Sequence, residues 1–242
     1  LQACTARKAE WQAFKQQRFA TLPLQDPAFG RALLTQPAAI KIVADFARAE
    51  GAVKLFDAGD VQANGFQIVE DDAPGQSYTE SGASYMGFAV SALVAGGLAD
   101  KPVYSIAFSG DGSFMMNPQV LIDAVEHGAR GMIVVFDNRR MAAISGLQQA
   151  QYGVDYRTHD SVAVDYVQFA SAVAGVKAVD GGGSADALHQ ALQLARKHDG
   201  LSLVYLPVYA GKDERGGMGA YGSWNVGNWC EDVQQRWHSQ DI

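Results

Sequence analysis

The chain has 242 residues, of which 48% are hydrophobic and 26 are glycine; this predicts one large domain of the α/β class. The net charge of −7, with no basic stripe or arginine-rich segment, argues against a nucleic-acid partner. The longest apolar stretch, residues 88–99, is too short for a bilayer and contains glycines, which argues against a membrane protein. Cys4 and Cys230 fit no metal-binding spacing, so a reducing cytoplasm is the expected location.

Helical and strand patterns alternate along most of the chain. Residues 1–34 contain a helical pattern without an apolar core beneath it, and we interpret them as a connector segment. Residues 35–210 are predicted to form the main domain, and residues 211–242 a C-terminal tail that acts as an active-site flap or contacts a partner. The predicted helices span 35–51, 84–99, 117–128, 165–174 and 184–198, and the predicted strands span 53–56, 103–108, 132–136, 176–179 and 201–206. Because the strands are almost wholly apolar, the pattern predicts a doubly wound parallel sheet with helices on both faces.

Two polar residues follow neighbouring strands of this predicted sheet. Asp111 comes after the apolar run 103–108, and Asn138 ends the run 132–136. A right-handed crossover between two parallel strands brings their ends side by side, so a carboxylate and an amide oxygen are expected to converge. Oxygen ligands suit a hard cation such as Mg²⁺, which commonly keeps coordination places for substrate phosphates. The pair therefore predicts a metal site.

The residues around Asp111 are suited to binding an anion. Gly110 and Gly112 let the backbone approach an anion closely, and Ser113 stands at a predicted helix N-terminus, where N–H groups and the helix dipole favour phosphate. The combined pattern predicts a metal ion together with a diphosphate. Two ordinary turns with a chance Asp and Asn are the alternative interpretation.

The sequence Gly-Asp-Gly, followed after this gap by Asn, resembles the diphosphate-binding motif of thiamine diphosphate (ThDP) enzymes. The resemblance implies that residues 35–210 form the diphosphate-binding domain of the ThDP-binding fold, with ThDP and Mg²⁺ as cofactors. It further implies that Asp111, Asn138 and the backbone carbonyl of Arg140 hold the metal. Relatives usually have glycine at position 140, but a carbonyl ligand needs no particular side chain.

A second segment, Ser84–Phe88, is similar to the part of acetolactate synthases and related decarboxylases that supports the thiamine pyrimidine ring. The resemblance implies that the carbonyl of Ser84 accepts a hydrogen bond from the exocyclic amine. It also implies that Met86, a soft and adaptable side chain, holds the cofactor in its bent shape. Without the resemblance, Met86 and Phe88 would be core residues at the start of a buried helix.

The loop 59–64 occupies the place where relatives contact the diphosphate from the other side. Here the resemblance implies contacts from Gly59 and Gln62. Relatives carry Gln-His in this loop, whereas this chain has Asp60. Because a carboxylate would repel a diphosphate, Asp60 is expected to point away.

One branch of the group is most similar to this chain, the trihydroxycyclohexanedione hydrolases, which open a cyclic 1,2-diketone. The resemblance rests on Gly110–Met116, Phe136–Asn138, Ile144–Gln148 and Tyr221–Gly227. It implies an enzyme that cleaves a carbon–carbon bond next to a carbonyl in a small molecule. An acetolactate synthase-like or 2-oxo acid decarboxylase activity is an alternative, and a catalytically silent interaction module is another.

Four polar residues after the metal loop are candidates for facing a substrate. Ser145, Gln148 and Gln149 could do so, although a solvated helix would look the same, and His159 is equally compatible with a surface position.

The family resemblance also concerns what the chain lacks. In ThDP enzymes a glutamate that bonds the pyrimidine ring comes from a separate pyrimidine-binding domain, and no such domain is evident before residue 35. We therefore expect half an active site, completed by a partner domain or subunit in an oligomer. No catalytic residue is assigned to this chain.

Overall fold

The computed structural model describes residues 2–159 and 162–211 of the chain. Within these ranges the strands form one six-stranded sheet and one short antiparallel hairpin. In chain order the strands are β1 (Leu24–Asp26), β2 (Arg31–Leu33), β3 (Val53–Phe56), β4 (Ser77–Thr79), β5 (Ser105–Gly110), β6 (Gly131–Asp137), β7 (Lys177–Asp180) and β8 (Leu201–Pro207). The helices are α1 (Gln2–Arg18), α2 (Gln36–Ala49), α3 (Asp60–Ile68), α4 (Phe88–Gly97), α5 (Asp111–Phe114), α6 (Val120–Glu126), α7 (Ala142–Tyr152), α8 (Tyr166–Ser171) and α9 (Ala185–Arg196).

The six-stranded sheet has the order β4-β3-β5-β6-β8-β7, and every neighbouring pair is parallel. Strand β3 lies between β4 and β5, so the chain passes from β3 to β4 in one direction across the sheet and then returns past β3 to β5. In open α/β sheets ligands bind outside the carboxyl ends of the strands at such a reversal. The loops after β3 and β5 are therefore placed to form a site.

Both faces of the sheet are buried under helices, which confirms the predicted doubly wound α/β fold. Along β6, Met132, Val134 and Phe136 face a core shared with α2 and α9, while Ile133 and Val135 face a core shared with α4, α6 and α8. Successive side chains of a strand point to opposite faces, so a strand that is buried on both sides must be apolar throughout. This explains the uninterrupted apolar runs.

The helix-start signals of the sequence are used as caps. The side chains of Thr35, Asp165 and Ser184 accept hydrogen bonds from the backbone N–H groups three residues later, at the starts of α2, α8 and α9. Such caps satisfy N–H groups that have no partner within the helix. Gly51 follows α2 with a positive φ of 63°.

Several predicted boundaries differ from the structure: the helix predicted from Asn117 begins at Val120, the strand predicted at 103–108 spans Ser105–Gly110, and two further differences have an identifiable cause. The helix predicted from residue 84 begins at Phe88, because Gly87 takes a left-handed conformation and its N–H bonds to the carboxylate of Asp57. The segment predicted as a loop after Gly59 forms α3 from Asp60 onward. Glycine at position 65 permits this helix to pack against Phe56. The Cβ of any other residue at position 65 would lie 2.6 Å from atoms of the Phe56 ring.

The segment 1–34 is held against the domain at its two described elements. The first turns of α1 are open, with Trp11 and Phe14 about 40% exposed, but Lys15 and Arg18 near its end are buried. After the hairpin of β1 and β2, Leu34 joins the core. The expectation of a helix is confirmed, whereas the expectation that nothing lies beneath it is wrong for its last turn.

The predicted C-terminal tail lies outside the described residues, except for Gly211. Among residues 2–159 and 162–211, no helix combines the length and the apolar character needed to cross a membrane.

Phe108 is the packing centre of the sheet and tests this account of the core. Its ring is fully buried, 4.5 Å from the Phe56 ring and 5.9 Å from the Phe136 ring, measured between centroids. We expect Phe108→Ala to lower the free energy of unfolding by about 3–5 kcal/mol in chemical denaturation. The matched control is Phe66→Ala, since Phe66 is 61% exposed, and it should change stability by less than about 0.5 kcal/mol. Equal losses would contradict the assignment of the core.

Candidate functional site

A cleft of about 210 Å³ opens at the carboxyl ends of β3 and β5. Eight residues predicted from the sequence line it together: Gly59, Ser84, Met86, Gly110, Asp111, Gly112, Ser113 and Arg140. Ala58, Asp60, Met141, Ala143 and Ile144 complete the wall. Gln62 and Asn138 contact wall residues, Ser84 and Asp60 respectively. The structure thus brings together segments that are separated by more than one whole crossover unit.

Two buried carboxyl groups meet at the end of β5 and β6. Asp111 and Asp137 are each 3% exposed, and their carboxyl groups are close neighbours. Burial raises the pKa of Asp137. Hydrogen bonds from the Arg139 N–H and the Tyr205 hydroxyl lower the pKa, but by less than burial raises it. Burial and the neighbouring Asp137 also raise the pKa of Tyr205. Adjacent carboxylates repel one another unless a proton or a cation lies between them.

Asn138 sits beside this carboxyl pair and is 7% exposed. Its Nδ2 donates to Oδ2 of Asp60 at 2.9 Å, and its Oδ1 accepts from the backbone N–H of Arg140 at 3.1 Å. Asp60 belongs to the cleft wall, and its carboxylate is directed at the amides of Gln36 and Asn138. Burial raises the pKa of Asp60, and these hydrogen bonds oppose the rise.

Close packing favours glycine at position 112, because a larger residue there would displace two methionine side chains. A Cβ there would lie 2.8 Å from Sδ of Met141 and 3.2 Å from Cε of Met86. Two thioether side chains therefore close over the bare backbone of this turn. Because no Cβ intervenes, a bound group can approach the backbone N–H groups that follow β5.

The segment from Ser84 to Gly87 is anchored by buried Asp57, a residue that sequence reasoning missed. Its Oδ1 accepts from the Gly87 N–H at 2.8 Å, and its Oδ2 accepts from Ser109 Oγ at 2.7 Å. Burial raises the pKa of Asp57, while these bonds lower it. Asp57 directly follows β3, so its position at a strand end was the available signal.

Gln62 holds the same segment from α3. Its Nε2 donates to Thr79 Oγ1 at 2.6 Å and to the Glu80 carbonyl at 3.1 Å, and its Oε1 accepts from Ser84 Oγ at 3.4 Å. Gln62 therefore contacts the loop that carries Ser84 rather than lining the cleft itself.

Residues 57–206 match the family model described as "Thiamine pyrophosphate enzyme, C-terminal TPP binding domain". The chain belongs to this family. Thiamine pyrophosphate is another name for ThDP, so the family is that of the ThDP-dependent enzymes.

Similar proteins and structures agree with this family. Over 167 residues the chain is 31% identical to a 3D-(3,5/4)-trihydroxycyclohexane-1,2-dione hydrolase of Bacillus subtilis. The aligned region covers 66% of the chain and 26% of the relative. A hydrolase of the same name from Lacticaseibacillus casei is 38% identical over 107 residues, 43% of the chain and 16% of the relative. The chain therefore spans about a quarter or less of the length of these relatives. The benzoylformate decarboxylase of Polynucleobacter necessarius has the same fold, with a TM-score of 0.65, 18% identity and coverage of 74% of this chain and 34% of that one.

In this TPP-binding domain, three polar residues of α7 that were candidates for facing a substrate contact the loop after α7 instead. Ser145 Oγ and Gln149 Nε2 donate to the carboxylate of Asp155, at 2.5 and 3.0 Å, and Gln148 Oε1 accepts from the Tyr156 N–H at 2.6 Å. These three side chains bind the loop 152–159, so the interpretation that they face a substrate is not supported.

His159 connects this loop to the cleft. Its Nε2 lies 2.8 Å from Asp155 Oδ2, and its Nδ1 accepts from Nε of Arg140 at 3.1 Å. Arg140 and His159 also pair as an isolated β-bridge. The guanidinium of Arg140 is thereby attached to the loop at the edge of the cleft.

Asp155 is the hub of this attachment, which can be tested by proteolysis. Hydrogen bonds from Ser145 and His159 lower the pKa of Asp155, so the carboxylate stabilises the loop above its unfolded pKa, and this contribution is lost as pH falls through the folded pKa. At neutral pH, Asp155→Ala removes the hydrogen bonds from Ser145, Gln149 and His159, which in this solvent-exposed loop together contribute about 1–2 kcal/mol. We expect about tenfold faster tryptic cleavage after exposed Arg157, because the loop opens more often.

The matched control for this experiment is Asp180→Ala, which removes a carboxylate that accepts from the Gly182 N–H at another turn. It should leave cleavage after Arg157 unchanged. Unchanged cleavage in both variants would show that Asp155 does not hold the loop.

Proposed function

We propose that this chain is the Mg²⁺–ThDP diphosphate-binding half of an enzyme that cleaves a carbon–carbon bond next to a carbonyl. The observation that carries the proposal is the convergence of Asp111, Asn138 and the Arg140 backbone at the cleft lined by Gly110 and Gly112. One carboxylate, one amide oxygen and one carbonyl form the oxygen-only donor set that Mg²⁺ prefers.

The charge distribution of the cleft fits a divalent cation. Asp111 and Asp137 place two buried carboxyl groups close to one another. A cation bound by Asp111 would reduce the repulsion between the two groups.

The turn after β5 would receive the diphosphate. Gly110 and Gly112 expose backbone N–H groups, and Ser113 adds a hydroxyl at the start of α5. On the far wall Gly59 begins α3 without a side chain. Gln62 supports this region by holding the Ser84 loop, so its proposed role is indirect.

Ser84 and Met86 would hold the organic part of the cofactor. Both line the cleft, and the Met86 methyl group lies over Gly112. The carbonyl of Ser84 would accept from the pyrimidine amine, and Met86 would support the ring. Asp57 fixes the distance between this segment and β5 through Gly87 and Ser109.

Bound ThDP supplies the electron sink that carbon–carbon cleavage next to a carbonyl requires. The residues of this chain bind and orient it and exclude water. The glutamate that bonds the pyrimidine ring would come from a pyrimidine-binding domain or subunit, so we propose an oligomeric assembly with the site at an interface.

The metal assignment is tested by Asp111→Ala in the complete assembly. Since loss of a group that merely orients a metal ligand already costs about 10–100-fold in affinity, loss of the ligand itself should cost more than about 100-fold in Mg²⁺-dependent ThDP affinity. Calorimetry measures the affinity, and Asp123→Ala, an exposed change on α6, is the control. Wild-type affinity in Asp111→Ala would refute the metal site.

The substrate is proposed from the hydrolases that the chain resembles in sequence. We propose a polyhydroxylated or cyclic 1,2-diketone, with water as the final acyl acceptor. The alternative, a 2-oxo acid, is favoured by structural neighbours whose names are decarboxylases, among them a 4-hydroxybenzoylformate decarboxylase of Rhodococcus jostii with a TM-score of 0.65, 18% identity and coverage of 75% of this chain and 34% of that one. Both reactions use the same cofactor contacts.

The two substrates are distinguished by turnover in the complete assembly. We expect kcat/KM for ring opening of a cyclic 1,2-dione to exceed that for CO₂ release from pyruvate by at least about tenfold, because a site that hydrogen-bonds hydroxyl groups rejects ligands lacking them. Efficient use of pyruvate with an untouched dione would replace the hydrolase proposal by the synthase alternative. An assembly without ThDP and without turnover would indicate the silent interaction module.

A further inference from the structure

A chain of buried side chains connects α1 to the predicted metal ligand Asn138. Arg18 Nη2 donates to Asn64 Oδ1 at 2.7 Å, and Asn64 Nδ2 donates to Gln36 Oε1 at 2.6 Å. Gln36 Nε2 then donates to Asp60 Oδ2 at 2.8 Å, and Asn138 Nδ2 donates to the same oxygen at 2.9 Å. This series of hydrogen bonds therefore runs from the N-terminal helix through α2 and α3 to the end of β6.

The direction of each hydrogen bond in this series is fixed by its two ends. Arg18 can only donate, and the carboxylate of Asp60 only accepts. Arginine has only donors, so Asn64 must present its oxygen to Arg18 and its NH₂ group to Gln36. Gln36 then presents its own NH₂ group to Asp60. Both oxygens of Asp60 accept, because Oδ1 also receives the Val61 N–H at 3.0 Å. An ionised carboxylate is an acceptor only, so Asn138 must present Nδ2 to it.

These bonds determine where the oxygen of the Asn138 amide points. With Nδ2 turned to Asp60, Oδ1 is directed to the Arg140 backbone, where it accepts one hydrogen bond at 3.1 Å. An amide oxygen has two lone pairs, so the second can bind a cation. The reversed amide would place Oδ1 against the Asp60 carboxylate and an NH₂ group on the metal side, where it cannot be a ligand.

We propose that Asp60 is a positioning residue that sets the orientation of the Asn138 amide and so provides its oxygen to Mg²⁺. The inference rests on the proposed function, because it needs Asn138 as a metal ligand. It assigns a role to the carboxylate that stands where relatives carry another residue. Gln36 and Asn64 are 3% and 1% exposed, so little water is available to replace the bonds that hold Asp60.

The first test compares single variants in the complete assembly, with Mg²⁺-dependent ThDP binding measured by calorimetry. Asp60→Asn can present an NH₂ group to Asn138 and so permits the reversed amide. We expect the affinity to fall by about 10–100-fold, the usual effect of losing a group that orients a metal ligand. Asn138→Asp should also weaken binding, because its carboxylate meets the carboxylate of Asp60.

The second test exchanges the two side chains. In the double variant Asp60→Asn/Asn138→Asp, the NH₂ group that replaces Asp60 Oδ2 donates to the new carboxylate, whose other oxygen faces the metal. The bond from Gln36, which uses the same Asp60 oxygen, is lost in this variant. The pair keeps its net charge. We expect the double variant to bind ThDP and Mg²⁺ more tightly than either single variant, a coupling that a general loss of structure cannot produce.

The control variant is Asp45→Asn, the same chemical change at an exposed residue that pairs with Lys41 on α2. It should bind as the parent does, and the unfolding midpoints of all variants are recorded alongside. Parental affinity in Asp60→Asn, or a double variant no better than the weaker single variant, would overturn the role of Asp60. If the parent itself shows no Mg²⁺-dependent affinity for ThDP, the proposed function fails and this inference fails with it.

Discussion

The parallel pairing of β3, β5 and β6 is the constraint on which the rest of the structure depends. Phe56 pairs with Phe108 and Phe108 with Val134, so the three strands reach the same edge of the sheet together. Helices bury both faces, and a shift by one residue would exchange the two core faces of a strand. The register is therefore fixed by packing, and the loops that follow these strands have one possible arrangement. The cleft results from that arrangement.

The cleft also concentrates polar groups that are costly to bury. Asp57, Asp111 and Asp137 are at most 3% exposed. Two of them have identified donors: the Gly87 N–H and Ser109 hydroxyl for Asp57, and the Arg139 N–H and Tyr205 hydroxyl for Asp137. Buried carboxylates persist only where donors or cations compensate for the lost water. In this domain the compensating donors come both from strands, as with Ser109 and Tyr205, and from loops, as with Gly87 and Arg139, so the bonds that stabilise the carboxylates also fix loops of the cleft to the sheet.

The local signals of the sequence predicted the elements that depend on local interactions. Thr35, Asp165 and Ser184 cap helices because a cap bond joins residues that are three apart. The apolar run at β6 predicted a strand that is buried on both faces. Helix α3 was missed because Asn64-Gly65 has the composition of a turn. Its stability comes from its contact with Phe56 and from the buried hydrogen bonds that Asn64 makes with Arg18 and Gln36. These three partners lie on other elements, β3, α1 and α2.

The sequence by itself determined the class of the fold, the placement of Asp111 and Asn138 after neighbouring parallel strands, and the glycines of the turn after β5. These features follow from residue type and spacing, because strand periodicity and the crossover rule act over short stretches of chain. The tertiary structure alone decided that Asp57 anchors Gly87, that Asp155 holds the loop beside Arg140, and that Asp60 faces Asn138. The partners in these contacts come from different loops, and which donor meets which acceptor depends on how the sheet and helices pack.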